Sequence, residues 1–290
     1  MRAVDQIAIV ALTMLVFHPS ALGRSSFEGS VSQQLKGTTL TLRRPYEGNE
    51  LKFDAMGRVV GDISIGPWTT CSQVRVNRVR VSSATLRIEG RRVNLFFDPI
   101  GKRFRDVASV QKNEPAAAMF HVRKGEGLPG DPVRIEVSLP KVEVSLDKLM
   151  ATLHLVFLEP HESPAATAAP YWQRFFAQQE GRAFTSSETE GIEVYEARSG
   201  NGILMPHATY APDPEYSEDA RRAGFHGSLT LSLVVDTDGK PRDIQIATPA
   251  GLGLDEKSVG AAKAWTFEPG QKNGKAVNVR INIEMTFSLY

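Results

Sequence analysis

Residues 277–289 alternate between apolar and polar side chains without a break. The apolar positions are Val277, Val279, Ile281, Ile283, Met285, Phe287 and Leu289. A period of two is typical of a β-strand with one buried face, and a shift of one residue would move the whole apolar set into water. Burial of seven such side chains contributes on the order of 10–20 kcal/mol before the cost of ordering the backbone. The pattern therefore predicts a long strand with a fixed register.

The sequence before this strand predicts a small domain of helices and strands. Residues 229–235 alternate in the same way and stop at Asp238-Gly239, which is typical of a hairpin turn. Residues 216–223 are predicted as a helix, and Asp255 is predicted as the N-cap of a second helix. The order helix, strand, strand, helix, long strand predicts an α+β domain with two helices and three antiparallel strands.

Several short motifs of this region occur together in a known family. They are Pro214-Glu215-Tyr216-Ser217-Glu218-Asp219-Ala220-Arg221, Trp265-Thr266-Phe267-Glu268-Pro269-Gly270 and Asn273-Gly274-Lys275. With the final strand, residues 212–290 resemble the C-terminal domain of the TonB energy transducers. The resemblance implies a periplasmic domain that pairs the TonB box of an outer-membrane TonB-dependent receptor with its edge strand. In transducers, this contact passes on work drawn from the proton gradient.

The predicted site is the open edge of the last strand. Strand addition gives affinity through main-chain hydrogen bonds, and side-chain pockets add selectivity. The candidate partner-binding residues are Asp213, Tyr216, Asn278, Arg280, Asn282 and Glu284. An alternative is that the polar residues only protect the edge from aggregation. The family commonly has Gln at position 213 and Pro at position 217, where this chain has Asp213 and Ser217.

Residues 1–23 have the layout of a secretory signal peptide. Arg2 precedes an apolar run at residues 7–17, and small residues precede a cleavage site after Gly23. The expected location is the periplasm. The alternative is an uncleaved anchor in the inner membrane, with the rest of the chain facing the periplasm.

Residues 24–158 are predicted to form a β-rich domain of no recognised family with a C-terminal helix. Short apolar runs are separated there by Gly, Pro, Asn and Asp. The apolar phase of residues 74–81 switches part-way, which predicts a β-bulge near Asn77-Arg78. Residues 145–158 have apolar side chains at spacings of three and four, which predicts an amphipathic helix.

Residues 159–211 are predicted to be a linker, because Pro, Ala, Ser and Thr dominate the first part of this segment. The segment also contains four aromatic residues: Tyr171, Trp172, Phe175 and Phe176. We interpret them as one side of a short helix that packs on a domain, since an exposed aromatic patch would be adhesive.

The charges exclude a nucleic-acid-binding protein. The chain has 34 Lys and Arg against 33 Asp and Glu, so it has no overall positive charge to match phosphates. One local run is basic, through Arg75, Arg78, Arg80, Arg87, Arg91 and Arg92. This run is either the solvated face of strands or a surface for an anionic partner such as lipid head groups, envelope polysaccharide or an acidic protein.

No catalytic or metal-binding pattern is present in the sequence. The six His have no metal-ligand spacing, Cys71 has no His nearby in the sequence, and no nucleophile elbow occurs. We therefore predict a non-enzymatic envelope protein without cofactor or metal. The alternative is that the N-terminal β domain is a ligand-binding carrier or an enzyme, with the TonB-like part as an assembly module.

Overall fold

The structure is a computed structural model, which describes residues 24–82, 84–120, 130–140, 146–159, 161–196 and 202–289. The predicted signal peptide, residues 1–23, lies outside the described residues. Within these ranges, none of the helices has the length and apolar character needed to cross a bilayer.

The chain is an α+β protein. Its helices are α1 (Arg24–Leu35), α2 (Trp68–Cys71), α3 (Leu146–Val156), α4 (Gln173–Gln179), α5 (Glu218–Ala223) and α6 (Leu254–Ala262). Its strands are β1 (Thr39–Thr41), β2 (Glu50–Phe53), β3 (Gln73–Val81), β4 (Thr85–Arg92), β5 (Leu95–Asp98), β6 (Arg103–Asp106), β7 (Pro132–Ser138), β8 (Val194–Glu196), β9 (Ile203–Leu204), β10 (His207–Tyr210), β11 (Gly227–Val235), β12 (Pro241–Thr248), β13 (Thr266–Glu268), β14 (Gln271–Lys272), β15 (Lys275–Ala276) and β16 (Asn278–Phe287).

These elements form two compact units. Unit 1 comprises the described residues of 24–95, 106–108 and 130–167, and unit 2 comprises the described residues of 96–105, 109–120 and 168–289. The sequence assigned residues 96–105 and 109–120 to the β-rich domain, whereas in the structure they pack within unit 2. Short apolar strands do not by themselves show which sheet they join.

Unit 1 is built on a five-stranded sheet in the order β1-β3-β4-β7-β2. Only the β2–β7 pair is parallel in this sheet. The predicted bulge is confirmed, because the register of β3 against β4 shifts between Val76 and Arg78. The predicted amphipathic helix is present as α3, and its Leu149, Leu153 and Val156 are buried in the same apolar cluster as the strands. One face of the sheet is thereby covered.

Unit 2 is built on a four-stranded sheet in the order β12-β11-β16-β8. Strand β11 pairs with β16 over its full length, from Gly227 opposite Phe287 to Val235 opposite Val279. The predicted hairpin is present between β11 and β12, and Gly239 there has a φ of +74°, which favours glycine. The sequence predicted three antiparallel strands. The sheet instead has a fourth strand, β8, which pairs in parallel with β16.

The start of α6 differs from the prediction that Asp255 is its N-cap. The N-cap is Gly253, and the completely buried Asp255 carboxylate accepts hydrogen bonds from the backbone N–H groups of Ala250 (2.9 Å) and Gly251 (2.8 Å). The reason is a left-handed turn at Leu252 and Gly253, which brings the preceding backbone over the start of the helix. Asp255 therefore stabilises the connection between β12 and α6.

Replacement of Asp255 by Ala should lower the free energy of unfolding by about 2 kcal/mol or more, because two buried N–H donors lose their acceptor. Chemical denaturation followed by circular dichroism measures this change. Asp238→Ala, at an exposed turn position, is the matched control and should change stability by less than about 0.5 kcal/mol. Equal effects of the two variants would contradict this role of Asp255.

The same carboxyl group should make stability depend on pH. Burial, and then the charge of Glu256, raise the pKa of Asp255 from 3.8 to about 7. Because the pKa is raised on folding, this contribution to stability is complete below about pH 4 and is lost as the pH rises through about 7. Asp255→Asn removes the titrating group, so the stability of the wild type should fall relative to this variant between pH 5 and pH 8. Parallel pH profiles would contradict the prediction.

Candidate functional site

The outer edge of β16 is covered over only part of its length. Strand β8 pairs with the first three residues of β16, in the register Asn278↔Val194, Val279↔Tyr195 and Arg280↔Glu196. Among the described residues, residues 281–287 pair with β11 alone. An extended segment could therefore form main-chain hydrogen bonds along this part of the edge.

The uncovered part of the edge also presents apolar surface. Ile281 and Ile283 are only half-buried, although Leu233 and Leu231, their partners on β11, are completely buried. A strand added to β16 would cover the two isoleucines, and this burial would add to its affinity.

The other face of the sheet is polar, and α4 covers part of it. Asn282 and Glu284 are exposed on β16, and Asn282 lies opposite Ser232 of β11. Ser232 is completely buried and accepts a hydrogen bond of 2.9 Å from Arg174 Nη1 of α4. The side chains of Asn282 and Glu284 are thus available next to the open edge.

Arg280 differs from Asn282 and Glu284 because it has an ion pair within the domain. Its Nη2 lies 2.8 Å from Oδ2 of the buried Asp243 of β12, and its Nε lies 3.7 Å from Oε1 of Glu196 of β8. The Asp243 residue adopts a left-handed backbone conformation, and its N–H donates to Glu188 Oε2 at 2.8 Å. Sequence reasoning missed this partner because Asp243 lies 37 residues away along the chain.

Side chains hold β8 in place at the start of β16. The Lys272 ammonium lies 4.2 Å from the centroid of the Tyr195 ring, which is a cation–π contact. The Asn278 side-chain amide donates to the Glu193 carbonyl at 3.2 Å. No sequence pattern indicates β8, because three residues within a polar stretch show no periodicity.

Tyr216 and Asp213 lie elsewhere in the domain. The Tyr216 ring packs edge-on against Phe287 at 5.3 Å, and its hydroxyl donates to the Phe225 carbonyl at 2.7 Å. Partial burial raises the pKa of the Tyr216 hydroxyl. Asp213 is exposed. Tyr216 therefore marks the C-terminal end of β16, whereas Asn278 and Arg280 mark its beginning.

A layer of aromatic side chains supports the sheet from within unit 2. Phe97 and Phe104, from the β5–β6 hairpin, contact Phe175 of α4 at centroid distances of 5.8 and 5.6 Å. Trp172 is completely buried, and its Nε1–H donates to Glu256 Oε1 of α6 at 3.1 Å. The prediction that the aromatic helix packs on a domain is confirmed.

The basic run predicted from the sequence lies mainly on the open face of the unit 1 sheet. Arg75 lies opposite Arg91, and Arg80 lies opposite Arg87, so that like charges face each other across β3 and β4. Ion pairs with acidic neighbours include Arg75 with Asp106 at 2.9 Å. Arg87 lies 3.0 Å from Glu136 and Arg78 lies 3.9 Å from Glu89, which offsets part of the cost of like charges directly opposite each other in a sheet.

Arg92 was predicted as part of this surface, and that prediction is wrong. Its side chain points to the other face of the sheet and is buried, where it donates hydrogen bonds to the carbonyls of Cys71, Tyr46 and Gly48. Burial lowers the pKa of its guanidinium. Arg92 therefore holds together loops of unit 1 and does not face a partner.

Ionisable side chains away from this edge also have partners within the fold. The Asp98 carboxylate, for example, accepts from the N–H groups of Ile100 and Gly101 and pairs with Arg105 at 3.4 Å. In the part of the chain that the structure describes, no cluster of three or more His, Cys, Asp or Glu could hold a metal ion.

A family model supports the resemblance seen in the sequence. The model described as the Gram-negative bacterial TonB protein C-terminal matches residues 212–289. Residues 212–289 form a TonB C-terminal domain. This TonB C-terminal domain contains α5, α6, β11, β12 and β16, whereas β8 and α4 precede it in the chain.

Two curated relatives match segments of similar length in this chain. The protein tonB2 of Pseudomonas aeruginosa is 34% identical over 79 residues, which is 27% of this chain and 29% of the relative. The protein TonB of Vibrio cholerae serotype O1 is 31% identical over 77 residues, which is 26% of this chain and 32% of the relative. The match thus spans about a third of each relative's length.

Among solved structures, the solution NMR structure of the Pseudomonas aeruginosa TonB CTD is similar, with 20% sequence identity and a TM-score of 0.25. The similarity covers 34% of this chain and 96% of the solved chain.

Proposed function

We propose that the TonB C-terminal domain binds a short extended peptide of an outer-membrane TonB-dependent receptor by strand addition to β16. The open edge at residues 281–287 is the observation that carries this proposal. The half-buried Ile281 and Ile283 support it, because their apolar surface lies where the added strand would run. The role is non-enzymatic.

The polar candidates divide into two groups under this proposal. Asn282 and Glu284 are exposed beside the open edge, so they would contact side chains of the added peptide directly. Asn278 and Arg280 lie where β8 now pairs, and Tyr216 packs on Phe287 at the end of the edge, whereas Asp213 is an exposed residue before α5. The main chain would supply affinity, and these side chains would supply selectivity.

The wider role that we propose is energy-coupled transport across the outer membrane, with the domain facing the periplasm. The family model that matches residues 212–289 and the similarity to two TonB proteins support this role. Export by a signal peptide at residues 1–23 would place the chain in the compartment where a receptor's periplasmic segment is accessible. An uncleaved inner-membrane anchor would give the same exposure.

Ile281→Thr and Ile283→Thr should each weaken binding of a synthetic TonB-box peptide several-fold, since each removes apolar contact at the edge but keeps a β-branched side chain. Fluorescence anisotropy of the labelled peptide measures the affinity. Ile100→Thr is the matched control, because Ile100 is 73% exposed in the β5–β6 turn. Unchanged affinity in both edge variants, with the wild type binding, would show that the peptide binds elsewhere.

A second proposal concerns the open face of unit 1, which would contact phosphate groups of anionic lipids. The supporting observation is the opposition of Arg75 to Arg91 and of Arg80 to Arg87. A flat array of guanidinium groups is complementary to the charges of a lipid surface. The alternative of a ligand carrier in this unit has less support, because its own aliphatic side chains form the interior cluster.

Arg80→Gln combined with Arg87→Gln should reduce co-sedimentation with phosphatidylglycerol vesicles by several-fold, because two positive charges are lost at the surface. Vesicles of phosphatidylcholine should not bind the wild type. Lys112→Gln combined with Lys263→Gln removes the same charge at exposed positions of unit 2. Equal losses from both double variants would indicate a response to net charge alone and would contradict the proposed surface.

A further inference from the structure

We propose that β8 is an internal occupant of the peptide-binding edge. An incoming peptide would displace β8 and pair with β16 in its place. An acidic side chain of the peptide would then contact Arg280 where Glu196 does now. This inference rests on the proposed function, and it adds both a regulation of the site and the chemistry of its ligand. The peptide would be extended, would run parallel to β16, and would carry a carboxylate at one defined register position.

The pairing of β8 is suited to exchange because it is short. Three residue pairs join β8 to β16, whereas strands in globular proteins typically have five or six residues. Side-chain contacts at this strand include those between Lys272 and the Tyr195 ring, between Asn278 and the Glu193 carbonyl, and between Arg280 and Glu196. A longer peptide could therefore pair over more of the edge than β8 does, because it could also pair with residues 281–287.

The Arg280 guanidinium could approach a carboxylate more closely than it approaches that of Glu196. The distance of 3.7 Å from Arg280 Nε to Glu196 Oε1 exceeds hydrogen-bond range, and 59% of the Glu196 side chain is exposed. Arg280 Nη1 is buried and has no hydrogen-bond partner among the described residues. Only Nη2 is well paired, with Asp243 at 2.8 Å.

These distances indicate which ligand the edge would prefer. A guanidinium offers five N–H donors, and charge-assisted hydrogen bonds to a carboxylate are roughly twice as strong as neutral ones. Asp243 holds the Arg280 guanidinium in position, so an incoming carboxylate meets a preorganised donor. A peptide with an acidic residue opposite Arg280 would close the gap that Glu196 leaves.

Competition from β8 should reduce the apparent affinity of every external peptide. A strand on the same chain has a high effective concentration, on the order of millimolar for short flexible connections. Only the fraction of molecules with β8 detached can accept the peptide along the whole edge, so the apparent dissociation constant rises by the inverse of that fraction. Weakening β8 should therefore tighten peptide binding.

The test uses the full chain and a labelled, amidated peptide with the sequence of residues 190–196, Glu-Gly-Ile-Glu-Val-Tyr-Glu. We expect Tyr195→Ala combined with Glu196→Gln to bind this peptide at least about tenfold more tightly than the wild type. A peptide with Gln in place of its last Glu should bind the double variant several-fold more weakly. Tyr210→Ala combined with Glu268→Gln changes the same residue types at exposed positions of β10 and β13. This matched control should leave the affinity unchanged.

The outcomes separate the two proposals. If a TonB-box peptide binds wild type and double variant with the same affinity, and only residues 281–287 gain amide protection, strand addition stands and the exchange of β8 is wrong. If neither peptide binds the wild type or the double variant, strand addition to this edge is wrong as well. Equal binding of the Glu and Gln peptides would overturn the acidic preference at Arg280.

Discussion

The pairing of β16 with β11 is the constraint on which the rest of the domain depends. Nine residue pairs fix the register, and the alternating apolar side chains of both strands, all except Val234, lie on one face. A shift by one residue would expose that face, so the register has no competing arrangement of similar energy. The same pairing leaves the opposite side of β16 as an edge. The site is therefore a direct consequence of the interaction that stabilises the domain.

Elements outside residues 212–289 modify this edge and the sheet behind it. The β5–β6 hairpin and α4 place Phe104 and Trp172 in one aromatic layer, and Trp172 is linked to α6 through Glu256. Strand β8 covers the first residues of β16 and contacts Arg280. The TonB C-terminal domain in this chain is thus embedded in a larger unit, and part of its candidate binding edge has an occupant from the same chain.

Regular patterns made the long strand, the hairpin, the bulge in β3 and helix α3 predictable from the sequence. Each of these elements has a local signal, either a periodicity or a turn motif. The partners of Arg92 and Arg280 were not predictable, because their charges are satisfied by residues far away in the sequence. Strand β8 was missed for a related reason: three residues form a strand only because β16 offers an edge. The partners of Arg92 and Arg280 and the formation of β8 depend on tertiary contacts, which produce no local pattern in the sequence.

The central claim is that the outer edge of β16 receives an extended peptide as an additional strand. Solution NMR of the complex with a TonB-box peptide tests it most directly, through nuclear Overhauser effects between peptide backbone protons and those of residues 278–287. Strand addition predicts a regular series of these effects along the edge, with slowed amide exchange at every second residue. A bound peptide whose effects map only to other surfaces, with amide exchange of residues 281–287 unchanged, would contradict the account.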